Sequence, residues 1–135
     1  MADHDYKIPL DCHYTESDEW LRVDGAMVRI GITDYAQSEL NDIVFVELPE
    51  RGSQLEAGQA FGVVESVKAV SDLIAPIAGD VIEVHTSLAD HPEWLNEDPY
   101  GRGWIIAITP EDVDALGGLM SAAEYRAHVE ARAGK

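Results

Sequence analysis

The stretch Phe61–Val84, FGVVESVKAVSDLIAPIAGDVIEV, decides the fold. Two apolar runs, Phe61–Val64 and Ala69–Ile77, flank Glu65-Ser66-Val67-Lys68, and Pro76 with Gly79-Asp80 marks a second turn before Val81–Val84. Short Val/Ile/Phe runs between turn residues predict β-strands rather than helix. A strand–turn–strand unit with Lys68 in its connection lifts one amine clear of the surface. The chain has three lysines, and Lys7 and Lys135 sit near its ends, so Lys68 is the only one inside the expected fold. An ordinary solvated turn lysine is the bland alternative. Lysine-poor surroundings favour the sharper one, a single amine that a modifying enzyme can find without competition.

The rest of the composition bounds what that amine can serve. At 135 residues the chain fits one domain with a core of its own. Hydrophobic residues make up 46%, which supports a globular fold, and no apolar run reaches membrane-spanning length. The N-terminal MADHDYKIPLDCHY has no basic-then-apolar signal pattern and is acidic, against an uncleaved transit peptide. Cys12 is the single cysteine, so an intrachain disulfide is impossible and a reducing compartment is expected. Bacterial cytoplasm is the expected setting, or the mitochondrial matrix for a processed eukaryotic form. A formal charge of −17 argues against nucleic-acid binding, which needs cations against phosphate. The same charge favours basic rims on protein partners.

Working outward from the central stretch, residues 1–13 read as a weakly structured lead-in, and 14–135 as one domain with a helical appendage from about 110. Asp24-Gly25 predicts a hairpin between Trp20–Val23 and Ala26–Ile32. Thr33 or Asp34 is placed to cap a short helix through Leu40. Ile43–Leu48 reads as a strand, Gln54–Ala60 as a loop, Ser87–Gly103 as a long turn-rich connection and Trp104–Ile108 as the closing strand. Pro110 with Glu111 and Asp112 predicts a helix start that Gly117-Gly118 ends, and Ser121 with Glu124 has capping-box spacing for a helix to about Arg132.

Catalytic patterns are missing. The five histidines are scattered without metal-ligand spacing, and there is no nucleophile elbow, Walker loop or dinucleotide fingerprint. Carboxylates are too abundant for any pair to mark an acid/base dyad. From its own side chains the chain shows no catalyst, and a carrier stays open as a reading.

At Lys68 the residues meet a family. Gly62-Val63-Val64-Glu65-Ser66-Val67-Lys68-Ala69, with Ser71-Asp72 and Pro76-Ile77-Ala78-Gly79, resembles the lipoylation segment of the glycine cleavage system H proteins. Tyr14-Thr15, Glu19-Trp20, Gly31-Ile32-Thr33, Asp42–Glu50 and Pro99-Tyr100-Gly101 resemble further family signatures in the expected order, so the resemblance covers roughly residues 14 to 130. The chain departs from the family pattern at Asp18, where His is usual, at Asn41, where Gly is usual, and at His85, where Asn is common.

The resemblance implies a mainly β fold, the lipoyl/biotinyl-type barrel-sandwich hybrid of two antiparallel sheets, with a short internal helix and C-terminal helices. It implies lipoic acid in amide linkage on Lys68, with Glu65, Ser66, Val67 and Ala69 shaping the turn that a lipoate-attaching enzyme reads. It implies a shuttle carrying the aminomethyl group of glycine from a pyridoxal-phosphate glycine decarboxylase to a tetrahydrofolate-dependent aminomethyltransferase, then reoxidised by dihydrolipoamide dehydrogenase. Ser17, Glu19 and Asp72 match the positions that hold the loaded arm's amine in a cleft, ordinary polar surface being the competing account. Trp20, Trp94 and Trp104 are expected as core or cleft wall. A monomer is expected, with no nucleic acid, membrane or metal. Three other readings stay open: a relay donating lipoyl groups to other lipoate-dependent enzymes, a biotin carrier, and an acidic β-domain that only binds. Biotin carriers usually have Met on both sides of the lysine, where this chain has Val67 and Ala69.

Overall fold

The computed structural model describes residues 5–133, so Met1–His4 of the lead-in and Lys135 lie outside it. Nine strands form two antiparallel sheets. The larger runs β1 (His13–Tyr14), β2 (Glu19–Asp24), β3 (Met27–Ile32), β9 (Ile106–Pro110), β8 (Gly79–Val84), β5 (Gln54–Leu55), in that spatial order. The smaller is β4 (Ile43–Glu47), β6 (Ala60–Ser66), β7 (Val70–Ile74). Leu21, Val28, Ile30, Val81, Ile106 and Ile108 from the first sheet and Ile43, Val46, Val64 and Leu73 from the second share one apolar core. This is the expected barrel-sandwich hybrid, and β6–turn–β7 is the expected hairpin around Lys68.

A second core sits at the outer end of the larger sheet, where Tyr14, Trp20, Tyr35, Tyr125 and Val129 bury one another. The Tyr14 and Tyr125 rings stack at 4.7 Å and 7°. Tyr14 also exchanges backbone hydrogen bonds with Met120, both at 2.9 Å. The C-terminal helix α3 (Ala122–Ala133) is therefore part of the body, held at its start by the predicted capping box: the Ser121 N–H donates to Glu124 and the Glu124 N–H to Ser121 Oγ. The lead-in is anchored too. Ile8 and Cys12 are buried, Tyr14 donates to the Pro9 carbonyl at 2.6 Å, and Tyr100 donates to the Lys7 carbonyl at 2.7 Å.

Several local expectations change. Gln54-Leu55 is a strand, not loop, because it pairs with Asp80 and Gly79 at the sheet edge. The helix predicted from Pro110 does not form: Pro110 ends β9, and Asp112 caps a 3₁₀ turn at Val113–Gly118 by accepting from the Asp114 N–H. The Glu111 N–H reaches the Ala78 carbonyl on the β8 side, so the nitrogen of Pro110 faces the opposite side, where β3 pairing has already stopped at Ile108. A missing N–H removes no ladder bond there. β7 stops at Ile74, and the closing strand begins at Ile106. The long connection contains a 3₁₀ turn at Thr86–Ala89 and helix α2 (Trp94–Glu97). The first hairpin turns on Gly25-Ala26, with Asp24 paired to Met27 and Gly25 at φ 66, where a two-residue hairpin needs glycine. Helix α1 (Asp34–Leu40) starts on Thr33, whose hydroxyl accepts from the Ala36 N–H.

Trp20 lies across Gly31, its partner on β3, and donates its indole N–H to the Pro99 carbonyl at 3.0 Å. A Cβ on Gly31 would stand 2.7 Å from three atoms of that indole. Gly31→Ala therefore overpacks the site and is expected to cost about 1–3 kcal/mol in denaturant unfolding, with altered Trp20 fluorescence.

Candidate functional site

Hairpins of two residues normally recruit glycine or asparagine, because their favoured turns require positive φ. The tip between β6 and β7 has neither. Val67 and Lys68 are absent from the positive-φ residues of the described chain. The turn is closed instead by Ser66, whose buried hydroxyl accepts from the N–H groups of Lys68 at 3.3 Å and Ala69 at 3.1 Å, a local serine turn. The Ser66 N–H donates to the Ala69 carbonyl at 2.8 Å, and the Val67 N–H ties the tip to the Asp42 carbonyl at 3.0 Å. Lys68 is exposed at this fixed tip, with no ion pair of its own among the described residues. Val67 and Val70 beside it are 75% and 68% exposed.

Three to four residues along β7 from Lys68, a cavity of about 150 Å³ opens. One wall is the turn Ser17-Asp18-Glu19, another is α1 through Ala36, Glu39 and Leu40. The third is β7 with its neighbour, through Ser71, Asp72, Leu73 and Val64. The structure thus brings Ser17 and Glu19 onto one concavity with Asp72, which is distant from them in sequence. Glu19 is not surface: it is 1% exposed. One carboxylate oxygen accepts from Ser17 Oγ at 2.5 Å and Thr15 Oγ1 at 2.7 Å, and the other accepts from the Ile74 N–H at 3.1 Å. Burial raises the Glu19 pKa above the usual carboxylate range, opposed by those three donors and reinforced by the charge of Asp18.

Asp18 makes the turn possible at φ 75, a conformation that aspartate tolerates better than most residues. Its carboxylate accepts from the Tyr125 hydroxyl at 2.8 Å and Arg132 Nη2 at 2.7 Å. Sequence reasoning did not connect Asp18 with Tyr125 and Arg132, since no local pattern links residues on opposite ends of the chain. It also missed Thr15 and Asn96. The Asn96 amide accepts from the Ile43 N–H and donates to Asn41 and Gln37, bracing α1 against β4. Asn41 sits at φ 64, which accounts for glycine being usual there. His85 stacks on Trp104 at 4.3 Å and donates through Nδ1 to the Trp104 carbonyl at 2.6 Å. Trp94 packs partly buried against the main core and Trp104 against the second, as core and wall residues.

No cluster of metal-ligating side chains occurs among the described residues. Burial pushes the Cys12 thiol up to about 11, far from a reactive thiolate. Two facing antiparallel sheets with an exposed lysine at a hairpin tip make a carrier-type architecture.

The comparisons take that class to a family. The family model described as glycine cleavage H-protein matches residues 12–132. The glycine cleavage system H protein of Geobacillus kaustophilus is 54% identical over 121 residues, covering 90% of this chain and 95% of that protein. Those of Halalkalibacterium halodurans and Anaeromyxobacter sp. (strain K) are 55% and 54% identical, over 88% and 92% of this chain and 93% and 97% of their own. A crystal structure of the Mycobacterium marinum H protein superposes with a TM-score of 0.81 at 42% identity, covering 95% of this chain and all of that one. The chain belongs to the glycine cleavage H-protein family. Its members are non-catalytic carriers that hold a lipoyl group covalently on a lysine and work with the other glycine cleavage components. No described helix is long and apolar enough to cross a membrane.

The raised pKa of Glu19 fixes the sign of a pH effect. A carboxyl that holds its proton more tightly folded than unfolded costs stability as pH rises from about 4.5 through the folded value. Relative to Glu19→Gln, the wild-type chain should therefore lose melting temperature as pH is raised from 4.5 toward neutrality, read from the difference between the two pH–melting curves.

Proposed function

We propose that Lys68 is the lysine that carries the lipoyl group, and that the arm rooted there serves the glycine cleavage cycle. The observation that carries this reading is the position of Lys68: an exposed, unpaired amine at the tip of a hairpin made rigid by Ser66. The turn residues Glu65, Ser66, Val67 and Ala69 would present that amine in one geometry to a lipoate-attaching enzyme. Deprotonated Nζ becomes the amide nitrogen, and the lysine charge is lost. The exposed Val67 and Val70 then flank an uncharged root, an apolar tip suited to entering a partner's active-site channel.

The surroundings fit the group. Ile32, Leu40, Val64 and Leu73 line the cavity with apolar surface, suited to a hydrocarbon chain, and Glu19, Asp72 and Ser17 supply oxygens for a cationic end. When bound, the lipoyl group supplies a dithiolane that opens to accept the aminomethyl cargo and later yields two electrons on closing. Glu19, held by Thr15, Ser17 and the Ile74 N–H, keeps its carboxylate fixed so that a cargo ammonium can donate to it without rearrangement. Asp72 adds a second charge from β7. Tethering raises the local concentration of the cargo at each docked partner.

In this reading the partners are a pyridoxal-phosphate glycine decarboxylase, a tetrahydrofolate-dependent aminomethyltransferase and dihydrolipoamide dehydrogenase, met by a monomer whose net charge of −17 suits basic docking rims. The bacterial sources of the relatives support a bacterial cytoplasm as the setting. Incubation with a lipoate-attaching enzyme, followed by intact mass and peptide mapping, tests the assignment. One lipoyl increment is expected on Lys68, none on Lys68→Arg with its melting temperature unchanged, and about tenfold slower attachment on Ser66→Ala, whose tip is no longer fixed. An increment retained by Lys68→Arg would overturn it.

A further inference from the structure

Two walls of the cavity, the Ser17–Glu19 turn and helix α1, meet at their base, where the Thr33 N–H donates to the Asp18 carbonyl at 3.0 Å. Two side chains of α3, from outside both walls, reach across above that bond. Arg132, in the last turn of α3, donates through Nη2 to Asp18 at 2.7 Å and through Nη1 to the Glu16 carbonyl at 3.3 Å. Its guanidinium carbon lies over the ring of Tyr35 on α1, 4.6 Å from the centroid. Tyr125, two turns earlier on the same face of α3, joins the same two walls by bonding Asp18 at 2.8 Å and Thr33, the cap of α1, at 2.7 Å.

We propose that Arg132 is a positioning residue for the cargo-holding cavity: it clasps the Glu16–Asp18 turn to α1 and neutralises Asp18, leaving Glu19 as the carboxylate presented to the cargo amine. The inference rests on the cavity reading of the proposed function and adds to it what fixes the cavity's shape and charge.

Three observations support a clasp rather than a passive helix end. The ion pair is largely sheltered, with side-chain exposures of 35% and 17% for Arg132 and Asp18. Arg132 buries its Nε without a partner while both terminal nitrogens bond the Glu16–Asp18 turn. Asp18 is held at φ 75, a strained setting that persists only where neighbours enforce it. Charge gives the clasp its second role. The ionisable groups lining the cavity are Asp18, Glu19, Glu39 and Asp72, all acidic, and Arg132 is the cation paired to them, through Asp18. Unpaired, Asp18 would compete for the cargo ammonium and push the proton affinity of its neighbour Glu19 upward.

Two measurements test this. In the unmodified full-length protein, the Glu19 carboxyl is titrated by NMR in wild type, Arg132→Met, Arg132→Lys and Arg132→Met/Asp18→Asn. Glu19 is expected to titrate at higher pH in Arg132→Met and to return toward wild type in the lysine variant and in the double variant, where no anion is left unpaired. A residue that merely held α3 in place would lower the melting temperature alike in the single and double variants and leave the Glu19 titration unmoved, and that result would overturn the proposal. In the lipoylated protein loaded from glycine, cargo release is then timed without any aminomethyltransferase. Arg132→Met is expected to release cargo about tenfold faster than wild type, the scale of a sub-ångström misplacement, with Arg132→Lys in between. Wild type as slow as Arg132→Met would reject the clasp alone. Wild type as fast as Glu19→Gln would reject the cavity reading itself, while the titration still judges Arg132.

Discussion

A carboxylate taken out of water has to find donors, and the chain satisfies that demand at Glu19 with three of them drawn from two places. Thr15 and Ser17 belong to its own turn, whereas the Ile74 N–H comes from β7 in the other sheet. The turn must therefore curl back on itself, which Asp18 achieves at φ 75, and β7 must end where its last amide faces β2. Meeting the needs of one buried charge thus fixes the distance between the two sheets at the mouth of the cavity. The same requirement leaves a carboxylate already ordered at the place where a cationic cargo would arrive, with little left to rearrange.

The molecule divides its work between a fixed tip and a fixed receptacle. Ser66 makes the Lys68 turn rigid without glycine, so freedom of movement belongs to the side chain and whatever it bears, not to the backbone. The second aromatic core, with Tyr14 stacked on Tyr125, holds the receptacle's far wall.

The hairpin around Lys68, the Thr33 cap, the strand at Ile43 and the Ser121 capping box were legible because each rests on residues within four positions of one another. Gln54-Leu55 was not, since a two-residue strand exists only through its partner at Gly79-Asp80. Pro110 misled for a related reason: a proline followed by acids suits a helix start and a strand end equally, and only the register with β3 decides between them. Within the site, Ser17, Glu19 and Asp72 were reachable through family resemblance. The residues that support them were not, because Asp18 and Arg132 are 114 positions apart and each looks like ordinary surface charge in its own neighbourhood.

Synthesis order gives this architecture a further property. A nascent chain completes the β6–β7 hairpin, lysine included, while Tyr14 still lacks both Met120 and Tyr125 and while Asp18 waits for a residue made 114 positions later. Contacts of such long separation form late, because the loop between them must close first. The amine is thus built before the chamber beside it, and a prematurely terminated chain would display a complete modification turn on a body with an open flank. Cellular quality control that senses exposed aromatic surface would see the unfinished chain at Tyr14, whose ring has no Tyr125 to stack on.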